Sequence, residues 1–290
     1  MSRRTPSNRF GGRPRRARGP AVPGPTPNTR RPPESVSARV ELEVGGTPIG
    51  VEFEVPTGPV PPEGVLPVFR ALTDAIVAES EREVEAQGRA ISCRKGCGAC
   101  CRQLVPVAEA EARALRDLIG RMPEPRRSEV LRRFAEARRR LDEAGLLELL
   151  LHPERTTVEQ RRALGPDYFR LGIPCPFLEE ESCSIHPERP LACREYLVTS
   201  PAEDCADPTP ERIRRVELPI VLSGLLSRFG SGPGGPGTTW VALVVAPGWA
   251  EEQAEGGSVP LRPGPDRVRE LFRLLAGEDP QGPPPGLGEC

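Results

Sequence analysis

The chain has 290 residues, including 37 prolines and 30 glycines, while only 37% of its residues are hydrophobic and 4% aromatic. Its net charge of −1 conceals an asymmetry, because residues 1–36 carry +8 and the rest of the chain −9. The longest apolar runs are much shorter than a membrane-spanning helix, which excludes a transmembrane protein. Lys95 is the single lysine and His152 and His186 the only histidines, which disfavours Schiff-base enzymes and histidine-dependent hydrolases.

The two ends of the chain have the composition of disordered segments. Residues 1–36 are rich in Arg, Pro and Gly without apolar periodicity, and residues 277–290 are similar to a linker. Phe10 is the one aromatic residue of the basic tail, so a solvated tail is favoured over nucleic-acid binding. No apolar segment of an export signal follows the first arginines, and we therefore expect a cytoplasmic protein. Residues 37–276 are predicted to form a single domain.

A β-hairpin is predicted at the start of this domain. Apolar residues alternate with glutamate over residues 40–44 and 51–55, and the sequence Gly-Gly-Thr-Pro lies between the two runs. Such alternation on both sides of a turn is typical of a hairpin with one apolar and one acidic face. We expect the hairpin to pack on helices as part of the scaffold.

Apolar residues at helical spacing predict three longer helices after the hairpin. The first covers about 25 residues and ends near Gly88, and the second is stopped by Gly120 and Pro123. The third has Ser128 as its N-cap and Gly145 beyond its end. The apolar stripes are Val65, Phe69, Leu72, Ile76 and Val84 in the first helix, Ala108, Ala112, Leu115 and Ile119 in the second, and Val130, Leu131, Phe134 and Leu141 in the third.

The rest of the domain has weaker signals. Short helices are predicted at 158–164 and 268–275, whereas the apolar runs of 216–249 fit strands and helices equally well. No internal repeat and no regular strand–helix alternation is present. The predicted fold is mainly α with a small N-terminal β-hairpin, an α+β class, in which a metal organises a helical domain between disordered tails.

Seven of the nine cysteines fall into two clusters. The first cluster contains Cys93, Cys97, Cys100 and Cys101, and the second contains Cys175, Cys183 and Cys193. In a reducing compartment such spacing favours metal binding over disulfides. Thiolates select zinc, iron or an iron–sulfur cluster. The two clusters therefore predict a metal site.

The residues between the cysteines suit such a site. Gly96 and Gly98 supply the backbone freedom of a tight metal-binding turn. We expect Arg189 to orient the loop of the second cluster by donating to a carboxylate or a sulfur. Basic side chains beside the ligands would offset the negative charge of the thiolates, namely Arg94, Lys95, Arg102 and Arg194.

The distribution of ligands over ions stays open at this point. Three thiols of the first cluster with one thiol of the second would complete a four-sulfur site. All seven cysteines with His186 make eight ligands, enough for two four-coordinate ions. Adjacent Cys100 and Cys101 have side chains that usually diverge, so they serve different metals or one of them stays free. Cys205 is a candidate for an extra ligand, whereas Cys290 is terminal.

The combined motif resembles the YkgJ-type cysteine-cluster family, the CxxCxxCC zinc- or iron-chelating domain, over about residues 60–200. The matching positions are Cys93, Cys97, Cys100, Cys101, Cys175-Pro176-Phe177-Leu178, Cys183, Ile185, Arg189-Pro190, Cys193-Arg194 and Tyr196. The cysteine cluster also looks similar to that of flagellin lysine-N-methylase. The resemblance implies metal chelation, and relatives often carry Tyr at position 186, which implies that His186 is not an obligatory ligand.

Whether the protein is an enzyme stays open, and no catalytic residue is identified. Cys93, Cys97 and Cys100 have the spacing with which radical S-adenosylmethionine enzymes hold a [4Fe–4S] cluster, but no series of strand–helix units follows them. An iron–sulfur redox enzyme and an S-adenosylmethionine-linked protein methyltransferase are further alternatives. A closed zinc site would instead contribute on the order of 10 kcal/mol to folding and stabilise a module that binds a protein partner without catalysis.

Overall fold

The computed structural model describes residues 34–229, 240–255 and 260–277 of the chain. The predicted tails lie outside these ranges, apart from their innermost residues 34–36 and 277. About 53% of the described residues are helical, and the strands among them form small antiparallel pairs. This confirms the predicted mainly helical α+β fold. None of the described helices combines the length and the hydropathy needed to cross a membrane.

The elements of the described ranges follow one another in this order. The helices are α1 (Leu66–Ala86), α2 (Glu109–Gly120), α3 (Arg126–Glu143), α4 (Leu147–Leu151), α5 (Val158–Arg170), α6 (Leu191–Glu195), α7 (Leu222–Leu226), α8 (Ala246–Glu255) and α9 (Gly264–Leu275). The strands are β1 (Ser35–Val44), β2 (Thr47–Pro56), β3 (Pro59–Val60), β4 (Pro106–Ala108), β5 (Leu178–Glu179), β6 (Ser182–Cys183), β7 (Trp240–Ala242) and β8 (Arg262–Pro263). Antiparallel pairs join β1 to β2, β3 to β8, β4 to β7 and β5 to β6.

The predicted hairpin is confirmed and forms one side of a hydrophobic core. Strands β1 and β2 pair along their whole length, and Gly45 and Gly46 turn the chain with φ of 58° and 87°. Both angles lie in the left-handed region, which glycine enters without a Cβ clash. The buried face of the hairpin packs against α1, whose Phe69 meets Phe229 edge to face at 5.0 Å between ring centroids. We call this the hairpin core, built from β1, β2, α1, α7 and α9.

A second hydrophobic core, the helical core, is built mainly from α2, α3, α5 and α8. The predicted stripe of α2 is buried throughout, and that of α3 is buried except for Leu131, which is 42% exposed. Helix α3 begins at Arg126, so the prediction of Ser128 as its N-cap was wrong. The hydroxyl of Ser128 instead donates to the carboxylate of Glu124 at 2.7 Å. Gly145 follows the helix as predicted, with φ of 70°.

The less regular second half of the chain was predicted with less success. Residues 216–249 contain both kinds of element, since helix α7 is followed by strand β7 and the start of α8. Helices α5 and α9 are longer than the predicted 158–164 and 268–275. Strand β7 pairs with β4, which directly precedes α2. This pairing attaches β7, far along the chain, to the helical core.

The segments that carry the cysteines lie where the two cores meet. Phe177 and Ile185, both from the second cysteine cluster, are buried in the helical core. Leu191, in the same cluster, is buried in the hairpin core. The second cluster is therefore attached to both cores by apolar side chains.

Candidate metal centre

The cysteines lie on short or irregular segments rather than on the long helices. Cys93 and Cys97 are in the coil after α1, and Cys100 and Cys101 are in a 3₁₀ turn, Ala99–Arg102. Cys175 precedes β5, and the remaining two thiols of the second cluster lie in β6 and α6. Cys205 is a further thiol near the site and lies in the 3₁₀ turn Ala202–Ala206. All eight cysteines are free thiols.

Backbone contacts bring the two clusters together. The N–H of Cys175 donates to the carbonyl oxygen of Cys101 at 2.7 Å. Ser92, beside the first thiol, donates its N–H to Val198 at 2.9 Å, which ties the start of the first cluster to the chain beyond α6. Segments separated by more than 70 residues in sequence thus run side by side at the thiols.

Gly98 allows the closest approach between the clusters. A Cβ at this position would lie 2.5 Å from the Oε2 of Glu181, 2.7 Å from the Cδ1 of Leu178 and 3.1 Å from the Cα of Glu181. A side chain at position 98 would therefore require Leu178 and Glu181 to shift. Gly96, with φ of 87°, uses the conformational freedom predicted for both glycines, whereas Gly98, with φ of −97°, does not.

An ion pair closes the same contact. Arg102 donates two hydrogen bonds to the carboxylate of Glu181, at 3.0 and 2.7 Å, and one to the carbonyl of Gly98 at 2.9 Å. Glu180 and Glu181 form the two-residue turn between β5 and β6, with φ of 48° and 55°. Positive φ at non-glycine residues costs about 1–3 kcal/mol each and persists where surrounding contacts enforce it. The pairing with Arg102 supplies one such contact.

Arginines hold the loop of the second cluster by its backbone carbonyls. Arg194, which is buried in α6, forms an ion pair with Asp74 of α1 at 2.6 Å and donates to the carbonyls of Pro187 and Arg189. Three further donors come from α1 and α3. They are Arg70 to Glu188 at 3.3 Å, Arg126 to Ser184 at 2.7 Å and Arg133 to Pro176 at 3.3 Å. Arg194 is thus a further arginine that orients this loop, beside the predicted Arg189.

Two buried carboxylates attach α6 to the surrounding helices. Glu111 of α2 accepts the N–H of Leu191 at 2.7 Å and that of Ala108 at 3.0 Å. Burial raises the pKa of Glu111 to about 6, against the opposing effect of these two hydrogen bonds. Glu195 accepts from both the N–H and the hydroxyl of Ser223. Glu111 was not predicted as part of the site, although its position on the apolar stripe of α2 marks it as an unusual buried acid.

Cys100 lies at the electrostatic centre of the thiols. Its sulfur accepts a hydrogen bond from the thiol of Cys101, which lowers the pKa of Cys100 to about 7 and raises that of Cys101. Burial is the main cause of the raised pKa of five other thiols, and the negative charge of Cys100 adds to it. These are Cys93, Cys175, Cys183, Cys193 and Cys205. Thiols of both clusters and Cys205 are therefore close enough to influence one another's pKa.

Arg189 is a cation close to thiols of both clusters. Its charge favours the thiolate form of Cys93, Cys100 and Cys183, opposing the burial that raises the pKa of the first and last of these. The Nε of Arg189 is buried without a hydrogen-bond partner in the described part of the chain. Arg102, which was also predicted to offset the thiolate charge, instead forms an ion pair with Glu181. A positive group with an unused donor thus lies beside thiols of both clusters.

His186 occupies a different environment. It begins the exposed 3₁₀ turn His186–Glu188, and burial followed by the charges of Arg189 and Arg194 lowers its pKa. Asp74 and Lys95 also act on it. The histidine that completed the predicted set of eight ligands therefore lies on the outer, basic side of the loop.

The donor set fits a thiophilic metal, because the thiols of both clusters and Cys205 lie on neighbouring segments and thiolates select zinc and iron. Within the described ranges, no three His, Cys, Asp or Glu side chains are already arranged to hold a metal ion. Chelation therefore requires the thiol side chains to turn toward the ion, while the backbone contacts keep their segments together.

Comparison with known families supports the same chemistry. Residues 92–210 match the model of the CxxCxxCC family, described as "Putative zinc- or iron-chelating domain". This confirms the resemblance predicted from the cysteine motifs, and the matched segment runs from just before Cys93 to beyond Cys205. No curated protein matches the chain, and no solved structure matches it.

Proposed function

From the match of residues 92–210 to a zinc- or iron-chelating domain, we propose that this chain chelates zinc or iron through the thiolates of both cysteine clusters. The observation that carries the proposal is that the two cysteine clusters lie side by side, since the N–H of Cys175 donates to the carbonyl of Cys101 at 2.7 Å and the turn of Cys205 packs against the turn of Cys100 and Cys101. A set of thiols that are half-buried, apart from the buried Cys205, has little stabilising role by itself. Metal binding would convert them into ligands and release their protons.

The metal would act as a crosslink between segments that lack long elements of their own. The thiolates supply strong covalent ligands, and a closed site of this kind contributes folding free energy directly. Arg189 would offset part of the negative charge that several thiolates leave on one ion. Arg194 and Glu111 would hold α6, and with it Cys193, in place before the ion arrives.

A chelating role that stabilises the fold is favoured over an acid–base enzyme. The two buried carboxylates near the thiols, Glu111 and Glu195, already accept backbone N–H groups from neighbouring segments. A general acid or base needs a group that is free to exchange protons with a substrate. We therefore infer a metal-stabilised module that acts through a protein partner, in a reducing compartment such as the cytoplasm where thiols persist.

An iron–sulfur protein is the second candidate. The spacing of Cys93, Cys97 and Cys100 suits such a cluster, and the cation Arg189 lies beside thiols of both sequence clusters. Charge and hydrogen bonding around the sulfurs would then set the reduction potential. Redox or S-adenosylmethionine-linked chemistry would follow from that form.

The test is the content of zinc, iron and acid-labile sulfide in the full chain purified without oxygen. We expect a stoichiometric amount of zinc or iron in the wild type and its loss or marked reduction in Cys100→Ser. Cys290→Ser, which changes the terminal cysteine, is the matched control and should retain the metal. Iron with sulfide would support the iron–sulfur form, and zinc without sulfide the structural form. A wild-type chain that retains neither metal, even after anaerobic reconstitution, would overturn the proposal.

A further inference from the structure

Strand β1 of the hairpin has an open edge. In the described part of the chain β2 is the only strand that pairs with β1. The N–H of Thr57 donates to the carbonyl of Glu34 at 2.8 Å, and these two residues continue the register of the hairpin. Because hydrogen-bonded and non-hydrogen-bonded pairs alternate in an antiparallel ladder, the even-numbered residues of β1 bond to β2. The N–H and C=O groups of the odd-numbered residues therefore point away from β2, along the open edge.

The apolar face of β1 is less completely covered than that of β2. Every second residue of β2 is buried in the hairpin core, namely Ile49, Val51, Phe53 and Val55. On β1, Ala38, Val40 and Leu42 are only half-buried, and Val36 is 50% exposed. The open edge thus combines unpaired backbone groups with apolar side chains that the described part of the chain leaves partly uncovered.

The edge also lacks several features that keep strands of different molecules apart. Such features include a proline, a bulge or a charge that points inward. Strand β1 contains no proline, it pairs with β2 without a bulge, and its charged residues all lie on the outer face of the hairpin. These residues are Arg39, Glu41 and Glu43. Their charge changes sign along the strand, so an antiparallel copy of β1 can place opposite charges face to face.

We propose that β1 pairs with β1 of a second copy of this chain, antiparallel and about a two-fold axis at Val40. The two hairpins then form one four-stranded sheet, and the interface is the same patch on both copies. Arg39 of each copy lies opposite Glu41 of the other, which gives two ion pairs per dimer. Val40 meets Val40, and Ala38 meets Leu42, so the apolar face continues from one copy to the other. The inference does not depend on the proposed chelating function.

The neighbouring positions of the axis oppose like charges. An axis at Arg39 or at Glu41 places that residue opposite itself, and an axis at Leu42 places Glu41 opposite Glu43. Like charges directly opposite each other destabilise a strand pair. The charge pattern of β1 therefore favours the axis at Val40 over the adjacent registers.

The contacts within the hairpin leave Glu41 available for this pairing. Glu41 lies opposite Gly50, which has no side chain, and its carboxylate has no hydrogen bond or ion pair among the described residues. Arg39 forms an ion pair with Glu52 at 3.1 Å, but the arginine side chain is 62% exposed. The guanidinium of Arg39 can thus contact Glu52 of its own chain and Glu41 of the second copy.

The first test is sedimentation velocity of the full chain over a wide range of concentrations, with a thiol reductant present to exclude intermolecular disulfides. We expect a reversible equilibrium between monomer and dimer. A chain that stays monomeric at every concentration would overturn the proposal, and so would a dimer that the variants of β1 leave unchanged.

Single charge reversals test the register. Glu41→Arg should raise the dissociation constant of the dimer by about 10-fold or more, because both ion pairs become contacts between two basic side chains. Arg39→Glu should have a similar effect, since both pairs become acidic. Glu85→Arg makes the same charge change as Glu41→Arg at an exposed position of α1 and is the matched control. This control should dimerise like the wild type.

An equimolar mixture of the two single variants distinguishes strand pairing from a loss of folding. In a mixed dimer both positions are basic in one copy and acidic in the other, so both cross-strand pairs attract again. We expect the mixture to dimerise at concentrations at which each variant alone is monomeric. A mixture that stays monomeric, with both variants folded by far-UV circular dichroism, would refute the register. If Arg39→Glu fails to fold, the series wild type, Glu41→Gln and Glu41→Arg still decides, because the dissociation constant should rise in that order.

Discussion

The two hydrophobic cores and the cysteine region that joins them are stabilised in different ways. The cores consist of long helices and a hairpin with largely buried apolar faces, such as that of α1. In the cysteine region the longest helix, α6, has five residues, and polar contacts such as Arg194 with Asp74 hold the loops. The difference shows that burial alone builds the scaffold, whereas the site depends on a few directional contacts and on its ligand.

The largest expected change in stability follows from removing an aromatic side chain from the hairpin core. Phe69 is 0% exposed and contacts Phe229, so Phe69→Ala should lower the free energy of unfolding by about 3–5 kcal/mol. The loss should be the same with and without a metal chelator, because the cavity lies in the scaffold. Urea denaturation in both conditions measures it, and a loss that appears only with metal bound would contradict the division into two regions.

The next largest effect is expected within the cysteine region. Arg194→Met leaves the carbonyls of Pro187 and Arg189 without this donor and should cost about 2–3 kcal/mol. Because these carbonyls belong to the ligand loop, zinc should also dissociate faster. Arg139→Met, which removes an exposed arginine paired with two glutamates of α3, is the control and should change little. Equal zinc dissociation rates in Arg194→Met and the wild type would refute the role of Arg194.

Glu111 links the helical core to α6 and should make stability depend on pH. Its pKa is raised from 4.5 to about 6, so the folded state binds more protons than the unfolded state between these values. Stability should therefore fall as pH rises from about 4.5 to 6, by on the order of 2 kcal/mol. Denaturation at each pH in the presence of a chelator excludes the protons released by metal binding. The slope should be flatter in Glu111→Gln, and equal slopes would contradict the prediction.

The smallest effect concerns the space between the two clusters. Gly98→Ala places a methyl group against Leu178 and Glu181 and should cost about 1–2 kcal/mol, with weaker zinc binding. In contrast, Gly120→Ala, at the end of α2, meets no atom within 4 Å and should leave both properties unchanged. Thermal denaturation and zinc competition compare the two variants. A neutral Gly98→Ala would show that the clusters separate more easily than the structure indicates.

Most of the scaffold could be predicted from periodicity. Each of these patterns reflects one apolar face that is buried away from water, and each face can be recognised within one segment of sequence. The examples are the alternation in β1 and β2 and the stripes of α1 and α2. The start of α3 was missed because Ser128 imitates an N-cap, while Pro125 flanks the true start. Residues 216–249 were ambiguous because their apolar runs are buried in short elements, where strand and helix patterns coincide.

The candidate site could be predicted in composition but only partly in arrangement. The spacing of the cysteines identified a thiol-rich centre, and the family comparison supports its metal chemistry. The roles of Arg194 and Asp74 were missed because the two residues lie 120 positions apart. The requirement for Gly98 was likewise hidden, since it depends on the approach of Glu181 from a distant turn.

The sequence by itself determined which residue types are available, where the apolar faces lie and that thiols dominate the site, because these follow from local spacing and composition. Only the tertiary structure decided that the turn carrying Cys205 packs against the turn of Cys100 and Cys101 and that His186 is exposed. The physical reason is that ligand grouping depends on how distant segments pack. Here that packing is governed by Arg102, Arg194 and Glu111, whose partners are remote in the chain.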